Sequence, residues 1–585
     1  MKRILKQLWL VAAIGLVLAS CGKSDELANV IPADAFYVVH VNSQSIVKKA
    51  DWNVFDNPKI SKLMNIAKAT QDTETSELLD AFLKDANALG LNLKGDAYMY
   101  MNMSSIGVVL GVNDAKKFKD ILLASPTTNK EELHEKDGTY TYKLGHAAAI
   151  AWNKNTFLLY STLGKEIMGS GFKLGLDSEK VDVETLALVQ LNQEKDKSIN
   201  TISTFSDFLS DRKDISLYYN YRSENMAPLF NALGSDFPKQ IIEELKSFSG
   251  VASGAYVSFD KGQISFDSKM YFENGDVKSK YKDLTASMFE NVKGDQLQYL
   301  YGNPLLAIST GLKGEGIQNY LVKLGIWDYL KEKATEEEIG IAESLIKNMN
   351  GDISFALGNF IKVKHEYEGW NGEMRSYDKN FMEMSFFAEC KDGKVLSAFL
   401  KEKLIDDMAK KATESVSADT TAVADIATIA PSVEGDEDED VFEDVKVYEP
   451  KVKMIEEGIF TTDFEGTTAY FGVKDNTFFF TNDKGVYDNV KSGAKKDNSV
   501  SKLSKGKLMT LAGSFTALKS LGDEFGSGQA AEIFMAFMDM FEGYELVTND
   551  DATGSGKIDM SDKGKNSLAQ ICQFFDKLIT EQVPM

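Results

Sequence analysis

The stretch AAIAWNKNTFLLYST, Ala148 to Thr162, is an apolar run, a polar turn closing on Asn155-Thr156, and a second apolar run. Short apolar runs joined by turn residues read as a β-hairpin. A second stretch, AYFGVKDNTFFFTND, Ala469 to Asp483, has the same order and the same Asn-Thr pair, with Asn155 and Asn476 standing 321 positions apart. Upstream, VNDAKKFKDIL (Val112–Leu122) pairs with CKDGKVLSAFL (Cys390–Leu400), with Asp114 and Asp392 at an offset of 278. Each reads as a strand end, an Asp-containing turn, and a helix whose apolar residues fall three or four apart. Downstream, KGQISFDSKMYF (Lys261–Phe272) matches GSGKIDMSDKGK (Gly554–Lys565) more loosely, with Ile264 and Ile558 at 294. Strand-then-helix segments also recur at Phe36, Ile215, Leu305 and Leu508.

The expectation is therefore an internal duplication, with halves at residues 28–296 and 297–585. The drift in offset has a physical reading. The rise from 278 to 321 falls across Ala412 to Pro450, which is rich in Ala, Thr, Ser and Asp and then densely acidic from Glu434 to Asp444. Like-charge blocks repel themselves and stay solvated. This segment is expected to be a disordered insertion at about 412–450. Limited proteolysis should cut there first. Deleting it should leave the thermal unfolding midpoint unchanged, whereas a large drop would mean that it packs.

Within each half, alternating patterns such as AYVSFDKGQISFDSKMYF fit antiparallel strands with one face buried. KQIIEELKSF, SELLDAFLKDANALG and EEEIGIAESLIKNM fit amphipathic helices, and Gly90 and Gly325 fit helix stops. The fold class expected is α+β: two similar halves, each with mainly antiparallel strands backed by helices.

The chain has 585 residues, 43% hydrophobic, enough to bury a large core. Its net charge of −23 argues against nucleic acid as a partner, because phosphates need a basic surface. It equally disfavours electrostatic docking of the body on anionic lipid.

The N-terminus carries a different signal. Met1, Lys2, Arg3 and Lys6 form a basic head, Leu8 to Ala19 is almost wholly apolar, and small residues precede Cys21. This is the layout of a secretory signal peptide, and its apolar part is short for a bilayer span. The order Leu18-Ala19-Ser20-Cys21 resembles the lipobox of bacterial lipoproteins. That resemblance implies cleavage between Ser20 and Cys21, a diacylglycerol on the Cys21 sulfur and a further acyl chain on its new amino group. The signal peptide would then be residues 1–20 and the tether residues 21–27.

The phrase VIPADAFYVVHVNSQSIVKKADW, Val30 to Trp52, resembles the opening of Bacteroidetes-type envelope lipoproteins catalogued only as a domain of unknown function. The resemblance implies a lipid-anchored envelope protein, at the outer membrane on its periplasmic or surface face. It carries over no catalytic residue. In such organisms acidic residues after the lipidated cysteine can mark export to the surface; here Asp25 and Glu26 follow Lys23.

Catalytic and metal motifs are missing in the sequence. His134-Glu135 and His365-Glu366 each have glycine where a zincin helix needs its second histidine. No Gly-x-Ser-x-Gly elbow occurs, and TGSGKID at Thr553 lacks the hydroxyl residue of a phosphate loop. No catalytic residue, metal ligand or cofactor is expected. Cys390 and Cys572 are the cysteines left besides Cys21, and spacing alone leaves open whether they pair.

Trp152, Trp327 and Tyr218 to Tyr221 fall largely in strand or helix patterns, where core packing explains them. HEYEGWNGEMRSYDKNFMEM, His365 to Met384, joins two strand-like runs through Gly, Asn, Trp and Tyr. Trp370, Tyr367 and Tyr377 are candidate contact residues on that loop, although a simple loop or core role is the plainer reading. The function expected is a membrane-anchored, non-catalytic binding or scaffold module, anchored through lipid on Cys21, with a protein or glycan partner. The alternative is an exported hydrolase acting on an envelope glycan or peptide.

Overall fold

The computed structural model describes residues 24–53, 56–62, 86–124, 128–163, 182–221, 238–300, 302–368, 373–402, 452–464, 466–515, 519 and 528–582. Residues 1–20, Cys21, Trp370, the acidic stretch 412–450 and most of SELLDAFLKDANALG lie outside the described residues. The chain divides into two compact units. The first comprises residues 1–289, 316–339 and 506–585, and the second residues 290–315 and 340–505.

In the first unit the chain lays down β1 (Tyr37–Asn42), α1 (Ser43–Ala50), β2 (Leu91–Asn92), β3 (Asp96–Met101), β4 (Ser105–Val112) and α2 (Ala115–Ala124). A meander follows: β5 (Leu133–Lys136), β6 (Thr139–Lys143), β7 (Ala148–Trp152) and β8 (Thr156–Thr162). Then come α3 (Val183–Leu191), α4 (Ser203–Ser210), β9 (Ile215–Asn220), α5 (Lys239–Ser247), β10 (Val251–Asp260), β11 (Gln263–Phe272) and α6 (Gly275–Met288). The chain then passes to the second unit for β12 (Leu306–Lys313), returns to the first for most of α7 (Gly314–Lys323) and for α8 (Ile326–Lys333), and re-enters the second within α9 (Glu336–Asn348).

The second unit continues with β13 (Met349–Glu368), β14 (Met374–Cys390), α10 (Gly393–Lys401), β15 (Lys453–Glu456), β16 (Ile459–Phe464), β17 (Thr467–Lys474), β18 (Thr477–Thr481), α11 (Lys484–Ser492) and α12 (Ser499–Ser504). The chain then returns to the first unit with β19 (Met509–Ser514), α13 (Gln529–Met538), β20 (Phe541–Thr548), β21 (Thr553–Met560) and α14 (Ser567–Gln582).

The first unit's sheet runs in the order β5-β6-β7-β8-β4-β3-β1-β9-β10-β11-β21-β20-β19, every pairing antiparallel. The second unit's runs β12-β13-β14-β18-β17-β16-β15, again antiparallel. The protein is thus α+β, with mixed helices and largely antiparallel sheet. AAIAWNKNTFLLYST is the β7–β8 hairpin, and AYFGVKDNTFFFTND lies in the β17–β18 hairpin.

Strand alternation explains why the first sheet needs cover on both faces. Val38 joins Tyr98, Tyr100 and Tyr218 under α3 and α4, which contribute Val183, Ala187, Leu191, Phe205 and Phe208. Val41 turns the other way, to Ala97, Leu110, Trp152 and Phe157, with Ile46 of α1 and Phe118 of α2. The helices start where short polar side chains cap them. Asn42 accepts from Ser45 N at 3.0 Å, Asp114 from Lys117 N at 2.9 Å, and Asp392 from Lys394 N at 2.9 Å. Gly90 (φ +82°) and Gly325 (φ +70°) take the left-handed conformation that ends a helix.

Candidate functional site

The opening phrase of the body is locked in place. Leu27, Ala28, Val30, Ile31 and Ala35 are buried in the α3/α4 cluster. Ile31 O accepts from Ile199 N at 2.9 Å, and Ala33 N donates to Lys197 O at 2.9 Å. Gln190 Nε2 donates to Val30 O at 2.7 Å, while Gln193 Nε2 donates to Asn29 O at 2.6 Å and Ile31 O at 3.0 Å. Asn102 Nδ2 donates to Asp34 Oδ1 at 3.0 Å. Val-Ile-Pro-x-Asp-Ala is therefore a structural plug. Its sequence promised a strand start; its fastening to residues some 160 positions away had no local signal.

The β13–β14 hairpin is the longest feature of the second unit. β12 pairs with β13 only as far as Leu357, and β18 pairs with β14 only from Ser385. From Phe360↔Met382 to Glu368↔Met374 the two strands are each other's ladder partners. At about 3.3 Å per residue this ribbon is roughly 30 Å long. Val363 is buried beside the β16–β17 turn, where a Cβ on Gly466 would meet its Cγ1 at 2.9 Å. Further out, Met374 is 65% exposed and Tyr377 50%. Tyr367 stands opposite Arg375 and Tyr377 opposite His365, so both tyrosines, expected on a loop, are ladder residues of the paired strands. By contrast Trp152, Tyr218 and Trp327 are core residues.

The titratable groups that come together serve the scaffold. His40 is fully buried, its Nε2 3.2 Å from Asp96 Oδ1 and its ring against Tyr98. His134, on β5, is an exposed residue whose Nδ1 lies 2.6 Å from Glu184 on α3. Asp214, buried at the start of β9, accepts from Ser45 Oγ at 2.5 Å, Lys49 Nζ at 2.6 Å and Phe259 N at 2.7 Å. It ties α1, β9 and β10 together.

Tyr271 donates to Asp211 Oδ2 at 2.7 Å and meets Tyr256 through its hydroxyl, while Lys269 reaches the same carboxylate at 2.6 Å. Burial pushes both tyrosines well above the usual phenol range. Burial also pushes Asp211 up, but hydrogen bonds from Lys269 and Tyr271 outweigh it and hold the carboxyl below its ordinary value.

In the second unit Asp352 is buried, and accepts from Lys293 N at 2.9 Å and Gly294 N at 2.8 Å. Burial raises its carboxyl above the ordinary range despite those bonds.

Among the described residues no group of three or more His, Cys, Asp or Glu side chains is placed to hold a metal ion. Cys390 and Cys572 are free thiols. A cavity of about 140 Å³ lies between the β10–β11 hairpin and the β20–β21 turn, lined by Ser253, Met270, Tyr281, Thr285, Thr548 and Thr553. Pockets for small-molecule ligands start at about 300 Å³. An open cleft beside α5 and α6 carries Glu244, Asp276, Lys280, Asp283 and Lys323, with Glu244 and Lys323 paired at 2.7 Å. No described helix is long and apolar enough to cross a membrane.

No curated protein and no solved structure matches the chain. A family model does match, over residues 27–568. Its start coincides with the buried Leu27 that begins the plug, and its end with Leu568 at the head of α14. The chain belongs to the family described as Domain of unknown function (DUF4836).

Proposed function

We propose that this protein is a lipid-anchored lipoprotein of the bacterial cell envelope that binds a protein or glycan partner without catalysing a reaction. Residues 1–20 are its signal peptide and Cys21 its acylated first residue, and the anchor lies in the outer membrane. The observation that carries this reading is the length of the leash. Cys21 stands three positions before Ser24, the first described residue, and Leu27, Ala28, Val30 and Ile31 are already buried. An extended residue spans at most about 3.6 Å, so three residues can hold the backbone of an acylated Cys21 no more than roughly 11 Å from the backbone of Ser24. A signal peptide and lipobox placed this close to a locked domain edge fit an anchor for the whole body.

We further propose that the fold arose by internal duplication. The order β1-β3-β4-β8-β7-β6-β5 in the first unit corresponds strand for strand to β12-β13-β14-β18-β17-β16-β15 in the second. The repeated Asn-Thr turns support it too. Val112 N donates to Asn155 O at 2.9 Å, and Cys390 N donates to Asn476 O at 2.7 Å. Both contacts join the end of a hairpin to the turn of its neighbour at the positions the repeats align.

The contact surface is the tip of the β13–β14 hairpin. The exposed Tyr377 on a self-paired ribbon offers rigid aromatic area, the kind of surface that dominates binding energy at interfaces. Photocrosslinking from the tip in intact envelopes, followed by capture, tests this. Trp370→Ala is expected to cut the yield of partner about tenfold or more, the loss of a typical aromatic hot spot, while the melting temperature stays the same. Undiminished capture would remove the tip from the interface. Loss of the fold would make Trp370 a core residue.

A further inference from the structure

Helix α3 departs from the other surface helices. Its sequence, VETLALVQL, is apolar around most of its circumference, a composition that belongs in an interior. Val183, Ala187 and Leu191 recur at i, i+4 and i+8 and are buried. The opposite face, formed by Thr185, Leu186, Val189 and Asn192, is exposed. Val189 is 63% exposed and Leu186 36%. None of these four side chains is ionisable, on a chain of net charge −23. Leu144, at the turn after β6, on which α3 packs, is 52% exposed as well.

The last turn of this helix and the residues just past it hold the first residues of the body. Gln190 and Gln193 bind the carbonyls of Asn29, Val30 and Ile31. Residues Ser24–Leu27 form a helical turn and Ala28–Val30 a 3₁₀ turn. These add about 10 Å at helical rise to the 11 Å allowed between Cys21 and Ser24. A lipid on Cys21 therefore holds the bilayer surface within roughly 20 Å of the point where α3 grips the chain.

We propose that the outward face of α3, centred on Leu186 and Val189, rests on the lipid bilayer at the level of the headgroups. This rests on the acylation of Cys21 proposed above. The bilayer is the occupant because the leash ends at this helix: acylation brings one large apolar phase to this face and keeps it there at high effective concentration. Two aliphatic side chains are too few to recruit the protein unaided, so the contact orients a body that the acyl chains already hold. An uncharged face also makes the contact indifferent to salt and to anionic lipid.

The test uses the full-length acylated protein with Cys390→Ser and Cys572→Ser, bearing an environment-sensitive fluorophore on Val189→Cys. It is reconstituted on phosphatidylcholine vesicles containing lipid with a quencher near the headgroup. The same label on Val322→Cys, at a 47% exposed position of α7, is the comparison. The label at position 189 should shift to the blue and be quenched severalfold more strongly than the label at 322, unaltered by salt. Equal quenching at both positions, with the protein still floating with the vesicles, would overturn the docking and leave acylation standing. Failure to float would remove the anchor and the docking together. A blue shift at position 189 without vesicles would mean that protein covers α3, and would also overturn the proposal.

Discussion

Cys21→Ser protein is expected to lose all incorporated acyl label and to leave the membrane fraction. Acyl chains supply membrane affinity at about 0.8 kcal/mol per buried methylene, so two or three chains anchor stably and none leaves only surface contact. The chain's net charge of −23 repels anionic lipid, and no described helix is long and apolar enough to cross the bilayer. The apolar face of α3 is too small to hold the body without the leash. Fractionation with a metabolically incorporated fatty acid measures both outcomes. Retention on membranes without label would mean that another anchor operates, and would withdraw the role assigned to Cys21.

The second large effect is structural. Asp214→Ala is expected to destabilise the first unit by about 2–4 kcal/mol, between the cost of an unsatisfied buried hydrogen bond and that of a broken buried ion pair. The Asp214 side chain is 5% exposed, so its removal strands Ser45 Oγ and Phe259 N together. The loss stays below the upper range for buried pairs because Lys49, at 27% exposure, turns its ammonium to water. Asp214→Asn should recover part of the difference, since the amide oxygen accepts one of the bonds. Urea unfolding followed by a probe in the first unit gives the values. A loss under about 1 kcal/mol would mean that the three donors find other partners.

Local pattern carried the parts of the fold made by neighbours in sequence. The β7–β8 and β17–β18 hairpins follow from apolar runs around a polar turn, and the caps at Asp114 and Asp392 from an acidic residue ahead of a helical period. What escaped sequence reading is long-range. Asp214 sits in an ordinary polar turn, and nothing nearby announces that Ser45 and Lys49 will meet it. His40 lies in a plain strand, and its approach to Asp96 depends on the register of β1 on β3. The Pro-x-Asp-Ala phrase stood out, but its partners, Gln190 near the end of α3 and Gln193 just past it, lie some 160 positions away. The stretch His365 to Met384 reads as a loop between strands, yet His365–Glu368 and Met374–Met384 are themselves strand, because alternation there is masked by polar residues on both faces of a self-paired ribbon. The reach of its ribbon depends on where β12 and β18 stop pairing, which no property of residues 365–384 encodes.

The anchor at Cys21 is the central claim, and the mass of the N-terminal peptide tests it most directly. Protein extracted from envelopes with detergent and digested should yield a first peptide that begins at Cys21, carries a diacylglyceryl thioether, and has its amino group acylated. A first peptide that retains residues before Cys21, or that begins at Cys21 with a free thiol, would contradict the account.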